Sequence, residues 1–375
     1  MEKSTGYLMI KKLFSAGVAL VIVFAGIFQL ILNNFPLNHF LGKQRFFKPS
    51  PKTNFHHPPG VRICCAFGYD LELPLMPFVR IFNTVKLNDF FESGHYYGGS
   101  LFENNGLIYT CRGGFIDTGH VRDWADWTLY LFQKLKTHFR SGKPLYLPNQ
   151  GTEMIRVDIV PGTLPIDEAT LLLLAQRIAF DYSVWHEFAT LMGYTIVPVF
   201  YDEVASAFSP EDLYSNLLGT LIGGKAIVRN ENYSRTVNNE LHKTLHLLKP
   251  LTEQQTRSVL DSVEGHWWSR DRAVTDHNLV TRRYVDYQEK ISPWRVPVSA
   301  CPSEPALPLS IPQLTQQGHP LSAYYRMVIH PQKKIRSSFP AFDQDDAGKN
   351  FYKLLEQTRQ IIRNMFGPKA DLPDF

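Results

Sequence analysis

No tandem repeat and no long low-complexity tract divides this 375-residue chain, so the expected organisation is one large domain with appendages. Cysteine is scarce. Four residues, Cys64, Cys65, Cys111 and Cys301, are too few for a disulfide-stapled miniature fold, and their spacing matches no CxxC metal motif. One or two bridges in an oxidising compartment are compatible with them, although adjacent Cys64 and Cys65 are poorly placed to bond each other. A basic stripe is also missing. Lys and Arg outnumber Asp and Glu by only 39 to 35, and they are scattered, so the electrostatic footprint of a nucleic-acid partner is absent. The apolar fraction of 44% excludes a disordered chain.

Only one long hydrocarbon run is present. Residues 13–32 are interrupted by no polar side chains except Ser15 and Gln29, and at about 1.5 Å per residue a helix of that length spans roughly 30 Å, enough to cross a bilayer once. Lys3, Lys11 and Lys12 precede it as in a secretory signal. The run is longer than a signal core, however, and Asn33-Asn34-Phe35-Pro36 offers no small-residue cleavage site, so an uncleaved signal anchor is expected. Lys43, Arg45, Lys48 and Lys52 nearly balance the leading charges, and the body is assigned to the outer side. The burst at Leu171–Leu174 is no second span, because its helix also carries Asp167, Glu168, Arg177, Asp181 and Glu187. The expected division is a cytoplasmic tip at 1–12, the span at 13–32, a proline-rich stalk at 33–60 and a globular domain at 61–375. Within the last, the motifs occupy 62–224, and helices with a wrapping loop fill 225–375.

Between 61 and 115 the signals are mixed: short apolar runs at 62–67 and 106–109, punctuated by glycine, suggest strands and loops. A helix is expected from Gly119 to about Arg140, where Val121, Trp124, Thr128, Leu131 and Leu135 recur at spacings of three and four, ended by Lys143-Pro144. Strands are expected at 145–147 and 154–160, with a turn at 161–163. The longest helix of the body is expected from Pro165 to a glycine stop at Gly193. Ser209-Pro-Glu-Asp212 reads as a helix start running to Gly223-Gly224, with serine as cap and acids in the first turn. Further helices are expected at about 233–249, 252–264 and 349–365, and a surface or wrapping segment at 301–319. The fold class is a helix-rich α+β domain.

Three polar constellations stand inside these apolar helices, and unpaired ionisable groups are costly to bury without a task. The first is Asp117-Thr-Gly-His120-Val-Arg-Asp123, in which His120 and Asp123 share a helix face and offer two ligands to one cation; alternatively Asp123 only stabilises the first turn. The second puts Gln176, Ser183, Glu187 and Thr190 on one face with His186 beside them, where a histidine and a carboxylate can bind metal or move protons. A satisfied core histidine next to a surface glutamate is the competing reading. In the third, Asp212, Ser215, Asn216 and Gly219 line one side of a helix; a capping role accounts for Asp212 but not for Asn216. Trp124 and Trp127 are read as core.

A shared pocket is the economical account of three such faces. Its expected chemistry is metal-assisted hydrolysis: His120, His186 and a carboxylate from Asp123 or Glu203 hold a divalent ion, zinc in first place, and Glu187 activates its water with Asn216 assisting. Asp117, Ser183, Asp212 and Ser215 complete the pocket. Two rival readings stand beside it. One is a Cys111 nucleophile assisted by His120 or His186. The other is a non-enzymatic envelope scaffold or binding protein whose polar faces merely hydrogen-bond to one another.

His186-Glu187-Phe-Ala-Thr190 resembles the HExxH signature of zinc peptidases, with Thr190 in place of the second histidine, so that the missing ligand must come from elsewhere. More extensively, Arg62-Ile-Cys-Cys-Ala-Phe-Gly68, Gly114 to Asp123, Val184-Trp-His-Glu187 and Ala207 to Asn216 together resemble a bacterial envelope family catalogued only as a domain of unknown function. That resemblance implies a bacterial envelope protein, often with an exported start; together with the apolar run at 13–32, the expected place is the bacterial inner membrane, single-pass, with the domain in the periplasm and a peptide, glycan or lipid as the partner. It implies no activity.

Overall fold

The computed structural model describes residues 57–373 apart from 61, 63–65, 74–75, 82, 101–102, 161–165, 196–202 and 339–346. The apolar run at 13–32, most of the stalk, Cys64, Cys65 and the turn at 161–163 lie outside the described residues. Among those described, no helix is long and apolar enough to cross a membrane.

The architecture is helix-rich α+β. A short hairpin, β1 (Leu71–Leu73) with β2 (Met76–Ile81), precedes a six-residue helix α1 (Leu87–Glu92) and a second antiparallel hairpin, β3 (Leu107–Thr110) with β4 (Gly114–Asp117). Helix α1 was not expected, since six residues without a side-chain cap give no periodic signal. The 62–67 run is not a strand at its described positions 62, 66 and 67.

From β4 the chain passes directly into α2 (Thr118–Ser141), then through β5 (Leu145–Leu147) and β6 (Thr152–Ile159) into α3 (Glu168–Leu191). Asp117 caps α2 and Asp167 caps α3. Gly142 ends α2 in the left-handed region at φ 64°, one residue before the expected stop. A 3₁₀ turn at Glu203–Ala205 leads into α4 (Asp212–Arg229), followed by α5 (Tyr233–Leu248) and α6 (Glu253–Ser262). Helix α4 starts two residues later than expected, because the Ser209 hydroxyl donates to the Ser206 carbonyl instead of capping.

The remainder wraps. Two-residue strands β7 (Lys290–Ile291) and β8 (Leu309–Ser310) pair with each other. The longer β9 (Tyr325–Pro331) returns to add a third strand to the β5–β6 sheet, in the order β5-β6-β9. It precedes α7 (Lys333–Ser338) and the amphipathic α8 (Ala347–Phe366). Cys111, beside β3, is disulfide-bonded to Cys301 of the wrapping segment.

Helices α2, α3 and α4 form the centre of the core. Trp124 and Trp127 of α2 are buried and meet the Tyr182 ring of α3 edge-on, with centroids 5.9 and 5.0 Å apart, which confirms them as core. Between α2 and α4 the approach is closer. A Cβ on Gly219 would lie 2.4 Å from the Val121 carbonyl oxygen, and one on Gly223 would lie 2.7 Å from that of Ala125, so only glycine fits at this crossing. The Gln176 amide of α3 donates to the Thr220 carbonyl at 3.1 Å and fixes α4 from the other side. This crossing brings the first turn of α4 alongside the first turn of α2.

Candidate metal centre

Asp117 ends β4 and begins α2, and one of its oxygens is spent on the helix: Oδ1 accepts from the N–H groups of Gly119 at 2.6 Å and His120 at 3.2 Å. Its own N–H donates to Ser215 Oγ of α4 at 3.0 Å. Oδ2 is left over, 3.6 Å from His120 Nδ1. Asp212 Oδ1 approaches the same ring nitrogen to 3.4 Å, while Asp212 Oδ2 accepts the Ser209 N–H at 2.6 Å. Asp212 thus reaches back over the turn before its helix as a capping carboxylate does, and its other oxygen faces His120.

Glu187 comes from near the C-terminal end of α3. Its Oε2 accepts the Phe208 N–H at 3.1 Å and its Oε1 accepts from Asn216 Nδ2 at 3.2 Å. Phe208 holds φ at 53°, a left-handed conformation that bulky residues rarely adopt, and this turns its N–H toward the carboxylate. Arg283 of the wrapping segment clamps the same turn by donating to the carbonyls of Val204 at 3.0 Å and Ala207 at 2.6 Å.

His120, Glu187 and Asp212 therefore converge. Each offers one ligand atom within 4.8 Å of the other two, and all three are buried. Five neighbouring atoms are buried without a hydrogen-bond partner: Asp117 Oδ2, His120 Nδ1, Asn216 Oδ1 and, beyond its own residue's N–H, both carboxylate oxygens of Glu211. Such orphans are rare in a folded core, and here they gather at one place. Burial pushes the Asp212 and Glu211 carboxyls well above the usual range. The charges of Glu187 and Glu211 add to the effect at Asp212, and that of Asp117 at Glu211. A divalent cation relieves both conditions by giving the donors a partner and the carboxylates a counter-charge.

His186 stays outside the three-residue group. It is half-buried, its Nδ1 has no hydrogen-bond partner, and burial pushes its pKa down while the Glu187 charge opposes that shift. The order in the HExxH pattern is thus inverted: the glutamate belongs to the ligand group and the preceding histidine does not. Thr190, in place of the second histidine, is buried with an unpartnered hydroxyl and is not in the group either.

Other expectations need correction. Asp123 is not a ligand, because Arg62 claims it: the Arg62 N–H lies 3.1–3.2 Å from its two oxygens and the guanidinium lies 2.8 Å from Oδ1. Asp123 belongs to a separate buried network in which Arg62 also pairs with Glu103 at 2.6 Å and Asp126 at 3.1 Å, and His95 meets Asp126 at 2.9 Å. Burial pushes the Asp123 carboxyl up to about 7 against the pull of Arg62. For Glu103 burial also acts upward, but the hydrogen bond and charge of Arg62 prevail and hold it at about 2. Glu203 accepts from Thr195 at 3.3 Å and falls outside the ligand group. Ser183 spends its hydroxyl on the Phe180 carbonyl at 2.7 Å, and Ser215 serves the Asp117 N–H. Cys111 is no nucleophile in this state, since its sulfur is bonded to Cys301.

The sequence matches, over residues 52–297, the family described as "Protein of unknown function (DUF4056)". The chain belongs to this family. No curated protein and no solved structure matches it. The DUF4056 match spans every residue of the centre, from Asp117 to Asn216, and also Arg62 and Arg283. Strand β9 and helix α8 lie beyond it. Glu211 and the Phe208 N–H were missed as site groups because Ser209-Pro-Glu-Asp212 reads locally as a helix start. The one signal available was two adjacent acids opening a helix whose next turns are apolar.

Proposed function

We propose that this protein is a metal-dependent hydrolase, in which His120, Glu187 and Asp212 hold one divalent ion and the ion activates water. The observation that carries the reading is the convergence of three donor side chains from three helices, ringed by buried acceptors without partners. One imidazole and two carboxylates suit zinc or another first-row ion, and three protein ligands leave a position for water. Asn216 orients Glu187 through its amide N–H, and such a hydrogen bond fixes which carboxylate oxygen faces an ion. Glu187 is thereby reassigned from base to ligand. Glu211, whose carboxylate has no partner but its own N–H, is the group placed to exchange a proton with the bound water.

The setting we propose is the periplasmic face of a bacterial inner membrane. The uninterrupted apolar run at 13–32 supports an anchor. The Cys111–Cys301 bridge supports an oxidising compartment for the domain.

Burial favours a second reading. Asp212 is 1% exposed, Glu187 3% and His120 6%, as suits an ion that pins α2, α3 and α4 together without chemistry. A single experiment separates the two. Full-length protein in detergent is stripped with chelator, reloaded with zinc, and assayed for hydrolysis of an amide and ester panel beside its thermal transition. Turnover that returns with metal supports the hydrolase. A metal-dependent transition without turnover supports the pin, and indifference to metal in both measurements rejects the centre.

A further inference from the structure

We infer that the bond hydrolysed at this centre is uncharged, a carboxylic amide or ester, and that phosphoesters are refused. The inference rests on the hydrolase reading above and concerns only its substrate class. Phosphoryl transfer needs cationic or N–H donors aimed at the equatorial oxygens. The centre offers the reverse.

The unpartnered atoms around His120 are acceptors: Asp117 Oδ2, Asn216 Oδ1 and the Glu211 carboxylate. The N–H groups that might have received an anion are already taken. Those at the start of α2 point to Asp117, the Ser209 N–H before α4 points to Asp212, and the Phe208 N–H points to Glu187. Two helix starts, each a natural anion site, are thus filled by the protein's own carboxylates. Among the described residues no lysine or arginine forms an ion pair with Asp117, Glu187, Glu211 or Asp212. The Arg283 charge reaches Glu211 and pulls its carboxyl down against burial, but the guanidinium makes no ion pair there and donates to the carbonyls of Val204, Ala207 and His277.

Four carboxylates around one divalent ion leave the centre at best neutral and otherwise negative, so a dianionic phosphoester meets repulsion that a neutral acyl group does not. An acyl carbonyl asks only for the ion as electrophile and for acceptors to hold water. Water adds to the acyl carbon, the C–N or C–O bond breaks, and the leaving amine or alcohol takes one proton of that water. Water is the sole co-reactant. Of the envelope substrates, amide and ester linkages in peptides, acylated sugars and lipids fit, and phosphate diesters of headgroups do not.

Cobalt-loaded full-length protein tests this through its visible absorption, with acetohydroxamic acid, an acyl probe that binds the metal as a chelating monoanion, set against inorganic phosphate as the dianion. The expected result is a spectral change with hydroxamate at concentrations at least 100-fold below any change with phosphate. Phosphate acting at equal or lower concentration overturns the inference, and so does silence with both probes. Failure to take up cobalt at all defeats the metal centre itself, and is recognised before either probe is added. With p-nitrophenyl acetate and p-nitrophenyl phosphate as substrates, at least 100-fold preference for the ester is expected. A faster phosphoester overturns the assignment.

Discussion

Replacing Gly219 with Ala tests whether the close crossing of α2 and α4 is what assembles the centre. The added Cβ would stand 2.4 Å from the Val121 carbonyl oxygen and 3.0 Å from Trp124 Cβ, neither of them the end of a flexible side chain. To reach an ordinary C···O contact of about 3.4 Å the helices must separate locally by about 1 Å. Overpacking of this kind costs about 1–3 kcal/mol, offset in part by the roughly 1 kcal/mol by which alanine is the better helix former. Gly219 is not at a positive φ, so backbone conformation adds nothing to the cost. The net expectation is a loss of up to about 2 kcal/mol, read as a fall of up to several degrees in the thermal transition. Because His120 lies on α2 and Asp212 on α4, the same separation should weaken metal uptake by up to roughly thirty-fold, since about 2 kcal/mol is that factor in a binding constant. Gly224→Ala is the control: its Cβ meets the Gln176 side chain, which can withdraw, at the expense of a hydrogen bond worth about 1 kcal/mol. The reasoning fails if Gly219→Ala melts and binds metal like the parent, or if Gly224→Ala damages binding equally.

Other expectations follow from the buried ion pairs and the disulfide. Asp123→Asn disturbs the Arg62 network and should lower stability while leaving metal content unchanged, which elemental analysis of the purified variant checks. Glu103→Gln removes a buried partner of Arg62 and should cost about 3–5 kcal/mol in denaturant unfolding. The Glu103 carboxyl lies below its ordinary value when folded, so its contribution is complete above pH about 4.5 and lost as pH falls toward 2. A shift from 4.5 to about 2 corresponds to about 3 kcal/mol, and the acid limb of the stability curve should flatten accordingly in the variant. Cys301→Ser opens the link between β3 and the wrapping segment and should lower stability by about 2–5 kcal/mol. In the native protein Cys111 should resist iodoacetamide until a reductant is added.

What could be read from the sequence was what repeats locally. The 3.6-residue recurrence of Val121, Trp124, Thr128, Leu131 and Leu135 located α2 to within a residue at each end, because that stripe is buried along the helix. The glycine stop at Gly193 placed the end of α3 to within two residues. Strand β9 gave no such signal: its reason for being extended is β6, more than 160 residues earlier in the chain. Within the centre, Glu187 and His120 were legible as ionisable residues on greasy helices. The partner of Asp123 was not, since Arg62 lies 61 residues away and only the fold brings it there. Asp212 was seen as a cap and is one, through Oδ2; its second oxygen faces His120, and no local pattern reports what the other half of a carboxylate does. The same holds for Cys111, whose pairing with Cys301 spans 190 residues.

The most direct test of the centre is metal stoichiometry in full-length protein prepared without chelator, compared across His120→Ala, Asp212→Asn and Asp123→Asn. One divalent ion per chain in the parent and in Asp123→Asn, with little or none in the other two, is the predicted pattern. Metal at background in the parent, or loss in Asp123→Asn equal to that in Asp212→Asn, would contradict the assignment of His120, Glu187 and Asp212 as the ligands.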